Sequence, residues 1–191
     1  MLAQLIKFSC IFLSILIVFT SCDYFEKERR KEFVTYTIPA GGQSSTSKVS
    51  TYSGNQMNFL AKFDQTAIYS TTDPLNQYDI NKLYGFSDCS SLHHINSARF
   101  GWRWFDNHLE IHAYCYVNSQ RISQFVTFVD LNQEYQYSII TSDNQYVFSV
   151  NGTSITMPRG CSGGGTKYRL YPYYGGDESA PHEINIKIKE L

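Results

Sequence analysis

The sequence predicts an all-β, antiparallel β-sandwich with at most one short helix. Three observations carry this. Short runs of alternating apolar and polar residues recur along the chain, separated by turn signals about every 8–12 residues. Tyr (15) and Phe (13) are abundant while charged residues make up only 17%, and aromatic side chains suit a pleated, half-buried surface. A single segment carries good helix-start chemistry, Asp73-Pro74, where a capping carboxylate precedes a proline that a first turn tolerates. The pattern predicts a helix from there to about Lys82.

Taken in order, residues 33–38 alternate and read as a first strand. Residues 40–56 are rich in Gly, Ser and Thr and read as a flexible loop. Met57, Phe59, Ala61 and Phe63 alternate with polar or larger neighbours, which marks a strand. Asp106-Asn107 suits a two-residue hairpin turn, flanked by strands over 98–105 and 108–117. Counting outward pairs Trp104 with Leu109, Trp102 with Ile111, Phe100 with Ala113 and Ala98 with Cys115, all fit for a buried face. The opposite face then pairs Arg103 with Glu110, Gly101 with His112 and Arg99 with Tyr114. A slip of one residue would mix the two faces, so the pattern itself selects this register.

A second hairpin turns at Asn151-Gly152 and sets Phe148 opposite Ile155 and Tyr146 opposite Met157. Asn151-Gly152-Thr153 also matches a glycosylation sequon, but turn chemistry accounts for it. Further strands fit residues 121–129, 134–140, 167–171 and 183–190. The last alternates Ile184, Ile186 and Ile188 with polar residues, and its length predicts pairing back near the first strand.

Cysteine placement adds a constraint. Cys115 shares parity with Leu109, Ile111 and Ala113 and should be a buried thiol. Cys89 and Cys161 lie in loop-like contexts, so any bridge should join them. No cysteine pair has zinc-site spacing.

At the N-terminus, Lys7 precedes an apolar core over 11–19, followed by Thr20, Ser21 and Cys22. The apolar run is too short for a spanning helix, which needs about 20 apolar residues. This layout resembles a bacterial lipoprotein signal peptide, although Phe19 stands where the usual lipobox prefers Leu. The resemblance implies removal of residues 1–21, lipidation of Cys22 and a membrane partner reached through the lipid anchor. It implies a location at the outer membrane or cell surface, with the periplasmic face as the alternative. Residues 23–32 balance Asp23, Glu26, Glu28 and Glu32 against Lys27, Arg29, Arg30 and Lys31, as a solvated tether would. Residues 22–56 therefore read as anchor, tether, first strand and loop, and 57–191 as the sandwich domain. Acids total 17 and Lys plus Arg 16, one of them Lys7 in the leader. A mature chain of slightly negative net charge is not an electrostatic nucleic-acid binder.

The strand pattern and aromatic richness of 57–191 resemble the jelly-roll or concanavalin A-like sandwiches of exported carbohydrate-active and carbohydrate-binding proteins. The polar hairpin face, with Arg99, Arg103, Glu110, His112, Tyr114 and Tyr116, offers flat rings for pyranose faces and planar polar groups for hydroxyls. The plainer alternative is a solvated sheet face with Arg103–Glu110 as an ordinary cross-strand pair. Polysaccharide lyases on such sandwiches use an arginine, a histidine and a tyrosine. Glu110-Ile111-His112 resembles their Gln-Ile-His strand motif, with glutamate replacing glutamine. Retaining glycosidases place two carboxylates about 5–5.5 Å apart, and this strand offers Glu110 alone.

A second candidate is the loop 171–182, where Tyr173, Tyr174 and Asp177 form an aromatic and acidic rim for a glycan or a calcium ion, since carboxylates are hard oxygen ligands. Its alternative is a rigid connection with the tyrosines packed at the sandwich end. A third, Asp88–Asn96 with His93 and His94, reads mainly as a polar loop. The glycine-rich run 160–167 lacks the Gly-Lys-Ser/Thr order of a phosphate loop. The leading expectation is a non-catalytic glycan- or ligand-binding lipoprotein. The alternatives are an envelope assembly protein acting on a protein partner, and a polysaccharide lyase or glycoside hydrolase.

Overall fold

The structure, a computed structural model, describes residues 32–46 and 49–191. The leader, Cys22 and the tether up to residue 31 lie outside the described residues. Twelve strands follow one another: β1 (Val34–Ile38), β2 (Thr51–Tyr52), β3 (Gln56–Phe63), β4 (Asn81–Ser87), β5 (Ser97–Phe105), β6 (His108–Val117), β7 (Gln120–Val129), β8 (Tyr135–Thr141), β9 (Gln145–Val150), β10 (Thr153–Pro158), β11 (Lys167–Leu170) and β12 (Ile184–Glu190). They form two six-stranded antiparallel sheets, ordered β1-β12-β3-β8-β9-β10 and β2-β11-β4-β5-β6-β7. Two packed sheets bury one face each, which is how a chain almost without helix makes a core.

That core is aromatic. Trp102, Tyr84, Tyr137, Tyr146, Phe59, Phe63, Phe86, Phe100 and Phe148 are fully buried between the sheets. Phe59 stacks on Tyr137, and Phe100 meets Tyr137 and Phe148 edge-on, each at about 5.0 Å. The alternating residues of β3 and β12 turn inward as their pattern requires, with Ile184, Ile186 and Ile188 all buried.

The β5–β6 hairpin has the register read from the sequence, including Trp102 opposite Ile111, Arg103 opposite Glu110 and Arg99 opposite Tyr114. Its turn residues Asp106 and Asn107 both have positive φ, 50° and 60°, which Asp and Asn tolerate. The β9–β10 hairpin likewise pairs Phe148 with Ile155 and Tyr146 with Met157. The last strand pairs with the first and with β3.

Two expectations need correction. The helix from Asp73 is a 3-10 turn over Pro74–Tyr78, capped by the Asp73 carboxylate on the Leu75 N–H, and it stops well before Lys82. Asn81–Ser87 is instead β4, an inner strand buried on both faces, so it shows no alternation to read. The run 40–56 is more than a loop. Ser44 bridges Tyr173, and β2 pairs with β11.

Cys89 and Cys161 are joined by a disulfide, and Cys115 is a buried free thiol. Among the described residues no helix is long and apolar enough to cross a membrane.

Candidate functional site

The outer face of the second sheet collects most of the polar residues singled out above. Strand parity puts Arg99, Gly101 and Arg103 of β5 beside Glu110, His112, Tyr114 and Tyr116 of β6. An outer sheet face is ordinarily wet. Here Arg99 is only 7% exposed, His112 6% and Tyr114 3%. Loops and neighbouring strands therefore wall this face in.

One end is cationic and tyrosine-rich. The Arg99 guanidinium lies over the Tyr114 ring at 5.3 Å. Lys82 of β4, itself only 9% exposed, stands 5.3 Å from the Tyr114 ring and 5.7 Å from that of Tyr173. Its ammonium donates to the Gly175 carbonyl. Burial, reinforced by the Arg99 charge, pushes the Lys82 pKa down to about 8. Tyr116 and Tyr168 complete the surroundings of Arg99. Gly85 makes room for this arrangement, because a Cβ there would fall 2.3 Å from the Arg99 Cβ.

The other end is an ion-pair network under aromatic rings. The Arg103 Nε donates to Glu110 Oε2 at 2.6 Å, and His112 Nε2 shares the same oxygen at 2.9 Å. Burial pushes the Glu110 carboxyl up, but its bonds to Arg103 and His112 outweigh this and hold it below the usual carboxylate range. Burial also pushes the His112 pKa down, against the attraction of Glu110. The Arg103 guanidinium sits 4.7 Å from the Phe105 ring and 5.9 Å from that of Tyr78. Beyond His112, β7 sets two exposed rings on the same face. Phe125 and Phe128 are 41% and 51% exposed and lie 4.9 Å apart. A register shift between Ile111 and His112 aligns both with the polar face, opposite His112 and Glu110.

The loop 171–182 does not act as one rim. Tyr173 joins the cationic end, pairing with Lys82 through a β-bridge and donating its hydroxyl to Gln43 at 2.6 Å. Tyr174 points the other way. It is 2% exposed and packs edge-on against Tyr69 at 5.1 Å, which removes it from any binding rim. Asp177 is exposed and its N–H approaches Asp79. The Glu178 carboxylate accepts from the N–H groups of Thr72 and Asp73 and from Asn76, and so locks the 3-10 turn. Among the described residues, the grouping with metal-ligand geometry is Asp88 with Cys89 and Cys161. Its sulfurs are bonded to each other and its carboxylate is held by Arg159.

Sequence reasoning missed Lys82, assigned to a helix, and Phe125, Phe128 and Tyr168, which carried no motif. It read Asp88–Asn96, with His93 and His94, mainly as a polar loop. They occupy a turn before β5, with ring centroids 4.2 Å apart and the His93 Nδ1 2.9 Å from the Tyr168 hydroxyl. Phe125 and Phe128 are three apart and would fall on opposite faces of a regular strand, so only the irregularity between β6 and β7 brings them to one face and the sequence carried no signal of it.

No family model matches the chain, and no curated protein matches its sequence. In three dimensions it is similar to the alginate lyase AlyC3, with a TM-score of 0.54 and 8% identity over 85% of this chain and 74% of that one. It is similar to alginate lyase A1-II', a member of polysaccharide lyase family-7, with a TM-score of 0.51 and 11% identity over 82% and 77%. It is also similar to SCLam, a non-specific endo-beta-1,3(4)-glucanase from family GH16, with a TM-score of 0.50 and 10% identity over 74% of this chain. The chain spans only 57% of that glucanase. These likenesses identify the fold as a jelly-roll β-sandwich shared with carbohydrate-active enzymes.

Proposed function

We propose that this protein binds a glycan along the outer face of the second sheet, without cleaving it. The observation that carries the reading is the exposed pair Phe125 and Phe128 beside a walled-in row of hydrogen-bonding groups, Arg103, Glu110, His112, Tyr114 and Tyr116. Exposed rings offer stacking surfaces for the apolar faces of sugars, and the planar groups meet hydroxyls. Enzymes that act on alginate and on beta-glucans share this fold, which supports a polysaccharide as the ligand class. Glu110 is the single acid in strands β2, β11, β4, β5, β6 and β7, and it is already engaged by Arg103 and His112. Hydrolysis by a carboxylate pair needs a second acid across the bond, so the strands of this face lack the pair a retaining glycosidase uses.

The test is titration of the purified protein with soluble polysaccharides, neutral and acidic, followed by calorimetry. Binding should be saturable, and Phe125→Ala and Phe128→Ala should each weaken it about tenfold. No binding across the panel would sink the reading, and new reducing ends or unsaturated products would replace it with an enzyme.

The same proposal includes an address. The layout around Cys22 supports lipid anchoring at the outer membrane or cell surface. Cys22→Ala should move the protein out of the membrane fraction, and retention there would remove the anchor. Digestion of the protein on intact cells by added protease marks the surface, and protection marks the periplasmic face.

A further inference from the structure

The two sheets leave a seam open on the side where β1 and β2 are the edge strands. β1 has five residues and β2 only two. Between them runs a groove of about 750 Å³, within the range of roughly 300–1,000 Å³ that small-ligand sites occupy. Strand register places this groove between the sheets. Arg169 of β11 pairs with Phe86, and Glu190 of β12 pairs with Phe59. Directly paired residues share a face, and Phe59 and Phe86 are fully buried in the core. Arg169 and Glu190 therefore turn inward as well, and both line the groove.

The polar groups of the seam hold one another in place. Arg169 clamps the Glu190 carboxylate across the two sheets, Nε to Oε1 at 2.8 Å and Nη2 to Oε2 at 3.1 Å. Its Nη1 donates to the Thr51 carbonyl, and the Tyr84 hydroxyl donates to the same Glu190 carboxylate. A guanidinium has five N–H groups, so these three bonds leave two donors to spare. Ser50 and Tyr171 share one hydrogen bond at 2.7 Å, which leaves one of their two hydroxyl hydrogens to donate and both oxygens able to accept. Three rings gather beside them. Tyr36 lies 5.6 Å from Tyr171 and 6.2 Å from Tyr84. Val34 and Ile188, paired across β1 and β12, add apolar lining. The charges do not favour an ionic guest, because an anion would meet Glu190 and Glu32, and a cation would meet Arg169.

We infer that this seam is a second ligand site, for a neutral ring compound with an apolar face and hydroxyl groups on its rim, whether a sugar ring or a phenol. The face packs on the rings of Tyr36 and Tyr171. The rim hydroxyls, which both donate and accept, meet the spare N–H groups of Arg169 and the Ser50–Tyr171 hydroxyl pair. The ion pair with Glu190 fixes the guanidinium before the ligand arrives, so little freedom is lost on binding. The seam stands apart from the outer-face glycan site. Tyr168 of β11 lies beside Arg99 on that face, whereas the next residue, Arg169, points between the sheets, as alternation along a strand requires.

Three probes decide it: cellobiose for the sugar ring, resorcinol for the phenol and benzoate as the charged control. Each is titrated by calorimetry into the purified Phe125→Ala/Phe128→Ala protein, whose outer-face rings are gone. Cellobiose or resorcinol should bind saturably and about tenfold or more tightly than benzoate, and the tighter of the two names the source of the ring. Val34→Trp, added in that background, puts bulk into the groove from an edge strand and should cut the binding about tenfold or more. Ser50→Ala removes one hydroxyl and should weaken it about threefold to tenfold. An unchanged melting temperature in Ser50→Ala separates a lost contact from a lost fold, and this variant decides alone if Val34→Trp does not fold. The seam site is overturned if neither ring probe binds, if benzoate binds as tightly as both, or if a folded variant binds as the parent does. The outer-face reading is decided separately, by polysaccharide binding to the parent protein and its loss in the Phe125 and Phe128 variants.

Discussion

Arg159 grips Asp88 inside the sandwich with two hydrogen bonds, Nε to Oδ2 at 2.7 Å and Nη2 to Oδ1 at 3.2 Å. Arg159 follows β10 of the first sheet and Asp88 follows β4 of the second, so the pair clamps the sheets together at one end. Tyr146 donates a third bond to Asp88 at 2.7 Å, and the Lys167 ammonium lies 3.8 Å away. Asp88 is completely buried, and breaking a buried pair strands the remaining charge. Arg159→Gln or Asp88→Asn should lower stability by about 3–5 kcal/mol, measured as a shift in the urea midpoint at constant m-value.

Acid should weaken the fold in two stages. Burial, with Arg99 and His94 nearby, pushes the His93 pKa down from 6.5 to about 4, and burial also pushes His112 down. A depressed histidine binds its proton in the unfolded chain before it does so in the folded one. Stability therefore falls as pH drops from 6.5 toward 4. Asp88 also lies below its usual value, because the bonds from Arg159 and Tyr146 outweigh its burial, and its contribution disappears at lower pH still. Chemical denaturation at pH 7 and pH 5 should show the first loss, and His93→Asn should make that stage shallower.

Lys82 should act in the opposite direction in alkali. Its folded pKa of about 8 lies below the ordinary lysine value of 10.5, so between these values the unfolded chain holds a proton that the folded chain has released. The lysine's cost to folding is full below pH 8 and fades as pH rises toward 10.5. Lys82→Met should be more stable than the parent at pH 7, on the order of a few kcal/mol, and the gap should narrow by pH 9.5. A gap independent of pH would show that the ammonium is not desolvated.

Gly85 is the tightest point of the face. A Cβ there would lie 2.2 Å from the Ala98 carbonyl oxygen and 2.3 Å from the Arg99 Cβ. Gly85→Ala should cost about 3 kcal/mol by forcing β4 away from β5, and it should weaken the proposed glycan binding together with stability. Equal thermal stability in the variant would mean that the strands separate there without cost.

The Cys89–Cys161 bridge spans a sequence separation of 72. In the chain-entropy picture, closing a loop of that size stabilises the fold by about 4 kcal/mol. Reduction should lower the melting temperature accordingly, while Cys115, buried and with its thiol pKa pushed up by desolvation, should resist alkylation until the protein unfolds.

The β5–β6 register was legible because each of its residues has one covered neighbour pattern and one polar one. Phe100, Trp102 and Trp104 alternate with Arg99, Gly101 and Arg103, and that period of two leaves a single pairing that sorts the faces. Asn151-Gly152 was legible for a different reason, since its positive φ values of 44° and 92° belong to few residue types. β4 was not legible. Burial on both faces erases alternation, and Asn81 and Lys82 read as polar although both are buried.

The sequence by itself determined the fold class, the two hairpins, the buried parity of Cys115 and the residue types on the polar face. All of these follow from local periodicity and turn chemistry. Only the tertiary structure decided that this polar face is walled in. Lys82, Arg99, Tyr114 and Tyr173 come from β4, β5, β6 and the segment before β12, and each reads alone as an ordinary surface residue. The burial of Lys82, Arg99 and Tyr114 arises when long-range strand pairing brings them together, a step that no local pattern encodes.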